Sequence, residues 1–362
     1  MTHPARYVGM DLHQKYSELC ALDEQGTVVD SARLPTTRAA LTRWFRGRSV
    51  RVCLEAGGSS PWVDRLLREL GQEVYVCNPR RVRLIAESTL KNDQIDAHTL
   101  ARLVRLDPSF LCPITHRRED TQRARAGLKV RATLVKSRTA CINSVRGLLR
   151  GFGYRLGKGT TEKFPQRVEQ AALPEELRRL VAPLVTTIAQ LSARIQDLDQ
   201  QVKALAQASP VATHLQSIPG VGPVVALALV YCLEDPSRFK RSRDVAGFLG
   251  LRPCLRASAD TRHQGRITKQ GDPMMRTLLV QAAHALLRSK TDSELKRWAE
   301  HLAFRVGKNK AVVALARKLA VLMHRLWTTG EVYDPNYGSR DRSPAAPEGA
   351  PVVGIEAATR SV

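Results

Sequence analysis

An aspartate stands inside the first apolar run of the chain, Tyr7-Val8-Gly9-Met10-Asp11-Leu12. Val8, Met10 and Leu12 alternate with period two, so the segment reads as a β-strand. Aspartate is depleted in strands, and a carboxylate placed there needs a reason. A second apolar run, Val50-Arg51-Val52-Cys53-Leu54-Glu55, ends on another acid just before Gly57-Gly58. Two more acids, Asp93 and Asp96, lie three apart in Lys91-Asn92-Asp93-Gln94-Ile95-Asp96-Ala97. Residues at that spacing share a helical face, and adjoining like charges repel unless a cation or a shared proton intervenes. Two strand-borne carboxylates and a helical pair therefore outline a divalent-metal cage. Hard cations such as Mg²⁺ take oxygen ligands, and metal ions can clamp the oxygens of a phosphoryl displacement. An acidic first helical turn, favoured by the helix dipole, accounts equally well for Asp93 and Asp96 without a metal.

The segment from Arg6 to about Arg105 alternates strand and helix signals. Glu18–Leu22 and Thr27–Leu34 flank the turn Asp23-Glu24-Gln25-Gly26, which predicts a hairpin. Helices are expected over Thr37–Phe45 and Pro61–Leu70, the latter opened by Ser60 and Pro61 and stopped by Gly71. Strands are expected over Arg51–Glu55 and Glu73–Cys77. A hairpin followed by alternating helices and strands predicts a mixed sheet covered by helices. The order suits an RNase H-like α/β fold, and spacing alone leaves other α/β sheets open.

The chain carries 57 Lys and Arg against 34 acids, a formal charge of +23, far beyond what solubility needs. Such a charge points to a polyanion, DNA or RNA, bound with steep salt dependence. From Arg117 to Lys158 there are twelve Lys/Arg and two acids. Leu128, Ala132, Val135, Thr139, Ile142, Arg146 and Leu149 step by four and three, as do Leu184, Ile188, Leu191, Ile195, Leu198, Val202 and Leu205. Two long helices follow, paired antiparallel or zipped to another subunit as a coiled coil. Arg117, Arg118, Arg123, Arg125, Lys129, Arg131, Lys136 and Arg138 make the first a candidate backbone-tracking surface.

Beyond Pro210, Ile218-Pro219-Gly220-Val221-Gly222 precedes an apolar helix over Val224–Leu233. This looks like a helix-hairpin-helix turn, whose glycines let backbone N–H groups approach a phosphate. A tight turn between packed helices explains Gly220 and Gly222 equally well. Gly250-Leu251-Arg252-Pro253, Ser258 and Gly265-Arg266-Ile267-Thr268-Lys269-Gln270-Gly271-Asp272 follow, then helices from Pro273 and from Lys310 to about Trp327. Four regions are expected: an α/β domain over 1–110, a basic helical segment over 111–209, a mainly α C-terminal domain over 210–330, and a tail without order over 331–362. The seven cysteines show no metal spacing and suit a reducing, cytoplasmic setting. No apolar run is long enough to span a membrane, and Met1–Arg6 leaves no room for a signal peptide before the first strand.

The order Asp11, Glu55, Lys91-Asn92-Asp93-Gln94-Ile95-Asp96-Ala97, with the later Gly-Leu-x-Pro segment, Ser258 and Gly265–Asp272, resembles the DEDD transposases of insertion-sequence family one-ten over residues 6–330. The resemblance implies a RuvC-like N-terminal domain, a coiled-coil middle and a C-terminal transposase domain with a catalytic serine. It implies Mg²⁺-dependent recombination of donor and target DNA, with a structured guide RNA from the element's ends. It further implies homodimers or homotetramers, with sites shared between subunits, working on nucleoid DNA in a bacterial or archaeal cell. Carried over by position, Asp11, Glu55, Asp93 and Asp96 match the acid tetrad and Ser258 the serine. The family pattern has Gly after that serine; here it is Ala259, which narrows access to positive φ. Arg256, Arg262, Arg266 and Lys269 are nearby cations that could brace a phosphate. Thr268 and Ser242 are alternative hydroxyls, ranked below Ser258. Two other readings remain: a metal-dependent nuclease or junction resolvase with a water nucleophile, and a non-catalytic nucleic-acid scaffold.

Overall fold

The computed structural model describes residues 6–78, 93–111, 113–257 and 262–336. Two compact units divide the chain, Met1–Glu119 and Asp120–Val362.

The first unit is built on a five-stranded sheet: β1 (Tyr7–Leu12), β2 (Tyr16–Leu22), β3 (Val28–Pro35), β4 (Arg51–Glu55) and β5 (Glu73–Cys77), in the order β3-β2-β1-β4-β5. β1–β2 and β2–β3 are antiparallel, while β1–β4 and β4–β5 are parallel. The mixed sheet expected from the alternation of signals is therefore present. Antiparallel neighbours are joined by short turns, the parallel pair β4–β5 is joined by a helical crossover, and the chain reaches β4 beside β1 only after β2, β3 and a helix. Helix α1 (Arg38–Phe45) starts at Thr37, whose side chain accepts from the Ala40 N–H. Helix α2 (Ser60–Glu69) connects β4 to β5.

The pleat sorts the side chains. Val8 and Met10, Leu19 and Ala21, Val52 and Leu54, and Val74 and Val76 join Leu41, Phe45, Val63, Leu66 and Leu67 in one apolar core. The alternate residues Tyr7, Cys20, Leu22, Cys53 and Cys77 belong to smaller clusters with helix α3 (Asp93–Leu106) on the opposite face. Successive strand side chains point to opposite faces, so Gly9, Asp11 and Glu55 lie on the α3 side. Gly9 has a specific reason to lack a side chain. A Cβ there would stand 1.9 Å from the carbonyl oxygen of Ala97 and 2.4 Å from the backbone nitrogen of Ala101. Helix α3 thus rests directly on the backbone of β1.

The second unit is almost entirely helical. Helices α4 (Glu119–Gly151) and α6 (Glu175–Gln207) each span 33 residues. An ion pair joins Arg131 to Asp199, and the Arg138 guanidinium donates to the Ser192 hydroxyl at 3.3 Å. Moving up one helix moves down the other, so the pair is antiparallel within one chain. Ile142, Val145 and Leu149 share a core with Val181 and Ile188, together with Phe164 and Val168 of the short helix α5 (Phe164–Glu169). At the other end, Leu128, Val202 and Ala206 enter the large core of the helices that follow. The segment 111–209 therefore shares a core with what comes after it.

Those helices are α7 (Pro210–Leu215), α8 (Pro223–Leu233), α9 (Ser242–Phe248), α10 (Pro273–Arg288), α11 (Glu294–Val306) and α12 (Lys308–Thr329). A two-stranded hairpin, β6 (Pro253–Ala257) with β7 (Arg262–Ile267), stands between α9 and α10. Past Gly330, Tyr333 is buried and the Glu294 N–H donates to the Pro335 carbonyl at 2.9 Å. The rest of the tail expected to lack order, residues 337–362, lies outside the described residues.

Arg125 of α4 forms an ion pair with Asp272, and each side chain is 10% exposed. Asp272 also caps α10, accepting from the Met275 N–H at 3.0 Å. Breaking a buried pair strands the remaining charge. Arg125→Ala is expected to lower stability by about 3 kcal/mol, read as a shifted denaturation midpoint; a loss within the range of a surface substitution would contradict this. Gly9→Ala is expected to cost about 3 kcal/mol, as overpacking against unyielding backbone does. It should melt the first unit at lower temperature and leave the helical unit's transition in place.

Candidate active site and nucleic-acid surface

β1 and β4 are parallel neighbours whose last paired residues are Met10 and Leu54. Asp11 and Glu55 therefore stand side by side at the same end of the sheet, one position further on. Asp11 is directly opposite Glu18 across the β1–β2 ladder. Asp96 sits on the first turns of α3, one residue before the Ala97 carbonyl that meets Gly9. The Glu55 carboxyl is held above its ordinary range, first by burial and then by the negative charges of Asp11 and Asp96. Three of the four acids picked from sequence thus interact electrostatically. Asp93 opens the same helix, and its side chain lies outside the described residues.

Among the described residues, no three acid, histidine or cysteine side chains close around a single point as a finished metal cage. The donor chemistry nevertheless fits a divalent cation. The ligating atoms are all carboxylate oxygens, they are partly buried, and Glu55 registers their mutual repulsion. Such a set suits a hard cation, and a cation would relieve the conflict. Asp11, Glu55 and Asp96 are the described residues positioned to hold one.

Three further residues shape this site without having been singled out from sequence. Gly9 sets the distance between α3 and β1. Glu18 is a buried carboxylate on the Asp11 face, paired with Arg33 at 3.3 Å. Its signal was the same as that of Asp11, an acid within a strand. His13 places Nε2 2.9 Å from the Asp11 carboxylate and packs its ring 4.9 Å from that of Tyr16. Its signal is weak, because a histidine in a turn is common, although its place two residues after Asp11 already puts it on the same face of the extended chain.

The basic segment divides into two sets. Arg123, Lys129 and Lys136 of α4 are exposed, as is Arg118 just before it, and Arg117 is half-buried. Arg125, Arg131 and Arg138 instead face inward, toward Asp272, Asp199 and the pair Ser192 and Glu162. The expectation that these three track a nucleic-acid backbone is corrected: they brace the helices. Their positions explain why, since 125, 131 and 138 step with Leu128, Val135 and Ile142 along the apolar stripe.

The glycine turn is also engaged internally. Gly220 has φ +87°, and a Cβ there would lie 2.6 Å from the Ala282 carbonyl oxygen and 2.8 Å from the Leu286 nitrogen of α10. Of the two explanations left open by sequence, helix packing accounts for Gly220. Gly222 is the residue before α8, and a Cβ there would meet nothing within 4 Å.

Ser258 follows β6 and lies outside the described residues, as do the side chains of Arg256 and Arg262. Arg266 and Lys269 are exposed, and Lys269 has φ +55°. The loop after β7 is anchored by the Thr268 N–H to Arg252 O, 2.9 Å, and the Lys269 N–H to Gly250 O, 3.0 Å. Ser242 is committed elsewhere, with its hydroxyl 3.0 Å from Nδ1 of buried His324, whose Nε2 donates to the Pro236 carbonyl at 2.9 Å.

Comparison with known proteins bears on both units. A family model for the DEDD transposases of IS110 matches residues 8–153. A second, described as the transposase IS116/IS110/IS902 family, matches residues 212–299. The chain is 34% identical to the transposase for insertion sequence element IS1111A of Coxiella burnetii, over 91% of each protein. It is 31% identical to a probable family 20 transposase of Pseudomonas aeruginosa, over 91% of this chain and 98% of the relative. It is 33% identical to the putative transposase y4pF/y4sB of Sinorhizobium fredii, over 93% and 87%. With an acid-bearing sheet in one matched region, a helical unit in the other, and likeness along nine-tenths of the length, the chain belongs to the IS110 family of DEDD insertion-sequence transposases, enzymes that cleave and rejoin DNA.

Proposed function

We propose that this transposase works through a composite site in which the acids Asp11, Glu55, Asp93 and Asp96 hold Mg²⁺ and Ser258 is the nucleophile. The observation that carries the metal half is the raised Glu55 carboxyl beside Asp11 and Asp96, a charge conflict that a cation removes. The bound cation supplies neutralisation and polarisation of a phosphate oxygen. His13 places its Nε2 2.9 Å from the Asp11 carboxylate and closes one side of the acid group.

The serine half is supported by the motif order and family membership. Ser258 Oγ attacks the scissile phosphorus, a P–O bond to one DNA strand breaks, and that strand leaves as a hydroxyl after taking up a proton. The phosphodiester energy is kept in the serine ester, which a new strand's hydroxyl then reverses. A serine hydroxyl needs activation at neutral pH, and Arg266 and Lys269 are exposed cations near the hairpin able to offset developing charge. The same reading includes a structured guide RNA, whose base pairing would set the target. It also includes a homodimer or homotetramer as the working form, acting on nucleoid DNA in the cytoplasm. Among the described residues, no helix is long and apolar enough to cross a membrane.

Two measurements test the halves separately. Protein, guide RNA and labelled donor and target DNA are incubated with Mg²⁺, denatured and resolved for covalent protein–DNA species. Wild type is expected to give an adduct and recombinant DNA, and Ser258→Ala neither. Cleavage without an adduct, indifferent to that substitution, would instead mean a water nucleophile and a metal nuclease. For the metal, Glu55→Gln should raise the melting temperature of the metal-free chain, because it removes the carboxylate that burial and the charges of Asp11 and Asp96 disfavour. Added Mg²⁺ should then stabilise wild type and leave the variant unmoved; equal shifts in both would remove Glu55 from the metal site.

A further inference from the structure

Phe304 is 94% exposed, the most exposed large apolar side chain among the described residues. It stands in the last turn of α11, where neither capping nor core packing requires an aromatic. Among the described residues no ring or cation packs on it, unlike Trp298 on the same helix, which is half-buried and carries the Lys318 ammonium 4.0 Å from its ring centre. Phe304 is three residues from His301, so the two are neighbours on the helix surface. His301 lines a shallow cavity of about 440 Å³ together with Glu294, Arg297, Trp298, Leu302 and Arg305.

On the C-terminal side of Phe304 the surroundings are cationic, while exposed Glu300, four residues before it, is the acid nearest along the same helix face. Arg305, Gly307, Lys308, Asn309 and Lys310 are all exposed. Between Glu300 and Glu331 the chain has six Lys/Arg and no acid. Lys308 and Lys310 occupy the first turn of α12, which contains no acid. The helix dipole favours acids at that end, so two lysines there are placed against the local preference.

From this juxtaposition we propose that the corner formed by Phe304, Arg305, Lys308 and Lys310 is a binding surface for single-stranded DNA, with an unpaired base stacked on the Phe304 ring and flanking phosphates held by the three cations. Aromatic faces set among cations are how sequence-tolerant single-strand binders work. A duplex keeps its bases stacked on one another and offers the ring nothing but phosphate, so the aromatic specifies an unpaired segment. Strand cleavage and rejoining produces such segments. A second copy of the chain fits less well, because a two-fold interface would bring like charges of this corner together around one small apolar ring. The proposal rests only on DNA being the substrate and is independent of the serine and metal assignments.

The test uses the full chain in EDTA and reads binding alone, so that failure of the metal or serine reading cannot be mistaken for failure here. Binding of a fluorescent single-stranded 20-mer of dT is measured by anisotropy beside a duplex of the same length, at fixed salt. Phe304→Ala is expected to weaken single-strand binding about tenfold, to leave duplex binding within about twofold, and to be rescued by Phe304→Trp but not Phe304→Leu. Lys308→Gln with Lys310→Gln should lower the single-strand salt slope by about 1.4, near 0.7 per phosphate contact. Unchanged single-strand binding in Phe304→Ala would overturn the proposal. So would an equal loss on duplex, a loss confined to an RNA 20-mer, or a change in oligomeric state by light scattering in place of a binding change.

Discussion

The closest constraint in the first unit is the absence of a side chain at Gly9. Helix α3 lies so near β1 that a single methyl group would penetrate the Ala97 carbonyl. Small residues continue the contact, with Ala97 and Ala101 buried against Cys20 and Leu22. This approach carries Asp96 toward the sheet end where Asp11 and Glu55 already stand. Two elements separated by some eighty residues of sequence therefore meet as a matter of backbone packing, and the acids are brought within electrostatic reach as a consequence. The pleat completes the arrangement by aiming Asp11 and Glu55 to the α3 face while Val8, Met10, Val52 and Leu54 fill the other.

The charge of the chain is used in two ways. Part of it is internal: Arg125 is buried against Asp272, Arg131 pairs with Asp199, and Arg138 reaches Ser192 and Glu162. A planar guanidinium can satisfy several acceptors while its stem lies along apolar surface, which suits it to an inward position between helices. The lysines of the same helix, Lys129 and Lys136, remain outside. The inward cations named on α4 are all arginines, while both lysines stand outside together with Arg123 and Arg150, and a plain count of positive residues overstates the charge offered to a polyanion. Asp272 carries the internal use furthest, because one carboxylate both caps α10 and anchors α4.

Much of the fold was legible because periodicity is a local property. The strands around Asp11 and Glu55, the hairpin at Asp23–Gly26, the helix opened at Thr37 and the two 33-residue helices follow from alternation, capping and turn residues. The acids at 11 and 55 were legible because a carboxylate inside or at the end of an apolar strand is costly without a partner, and Asp96 because its three-residue spacing from Asp93 puts both on one helical face. Glu18 carried the same signal. Its neutralising partner, Arg33, comes from a strand fifteen residues away in sequence, a pairing that no local pattern contains.

What the sequence determined by itself was the kind and order of the elements and the residue types able to bind metal and phosphate, since these depend on neighbours along the chain. Tertiary structure alone decided which side of each element mattered. It turned Arg125, Arg131 and Arg138 inward, gave Gly220 to helix packing, and set α3 on Gly9. It also left Phe304 in solvent beside Arg305, Lys308 and Lys310. The physical reason is that burial is a property of the assembled surface, where one residue's partner is chosen by elements distant in sequence, and no local period contains that information.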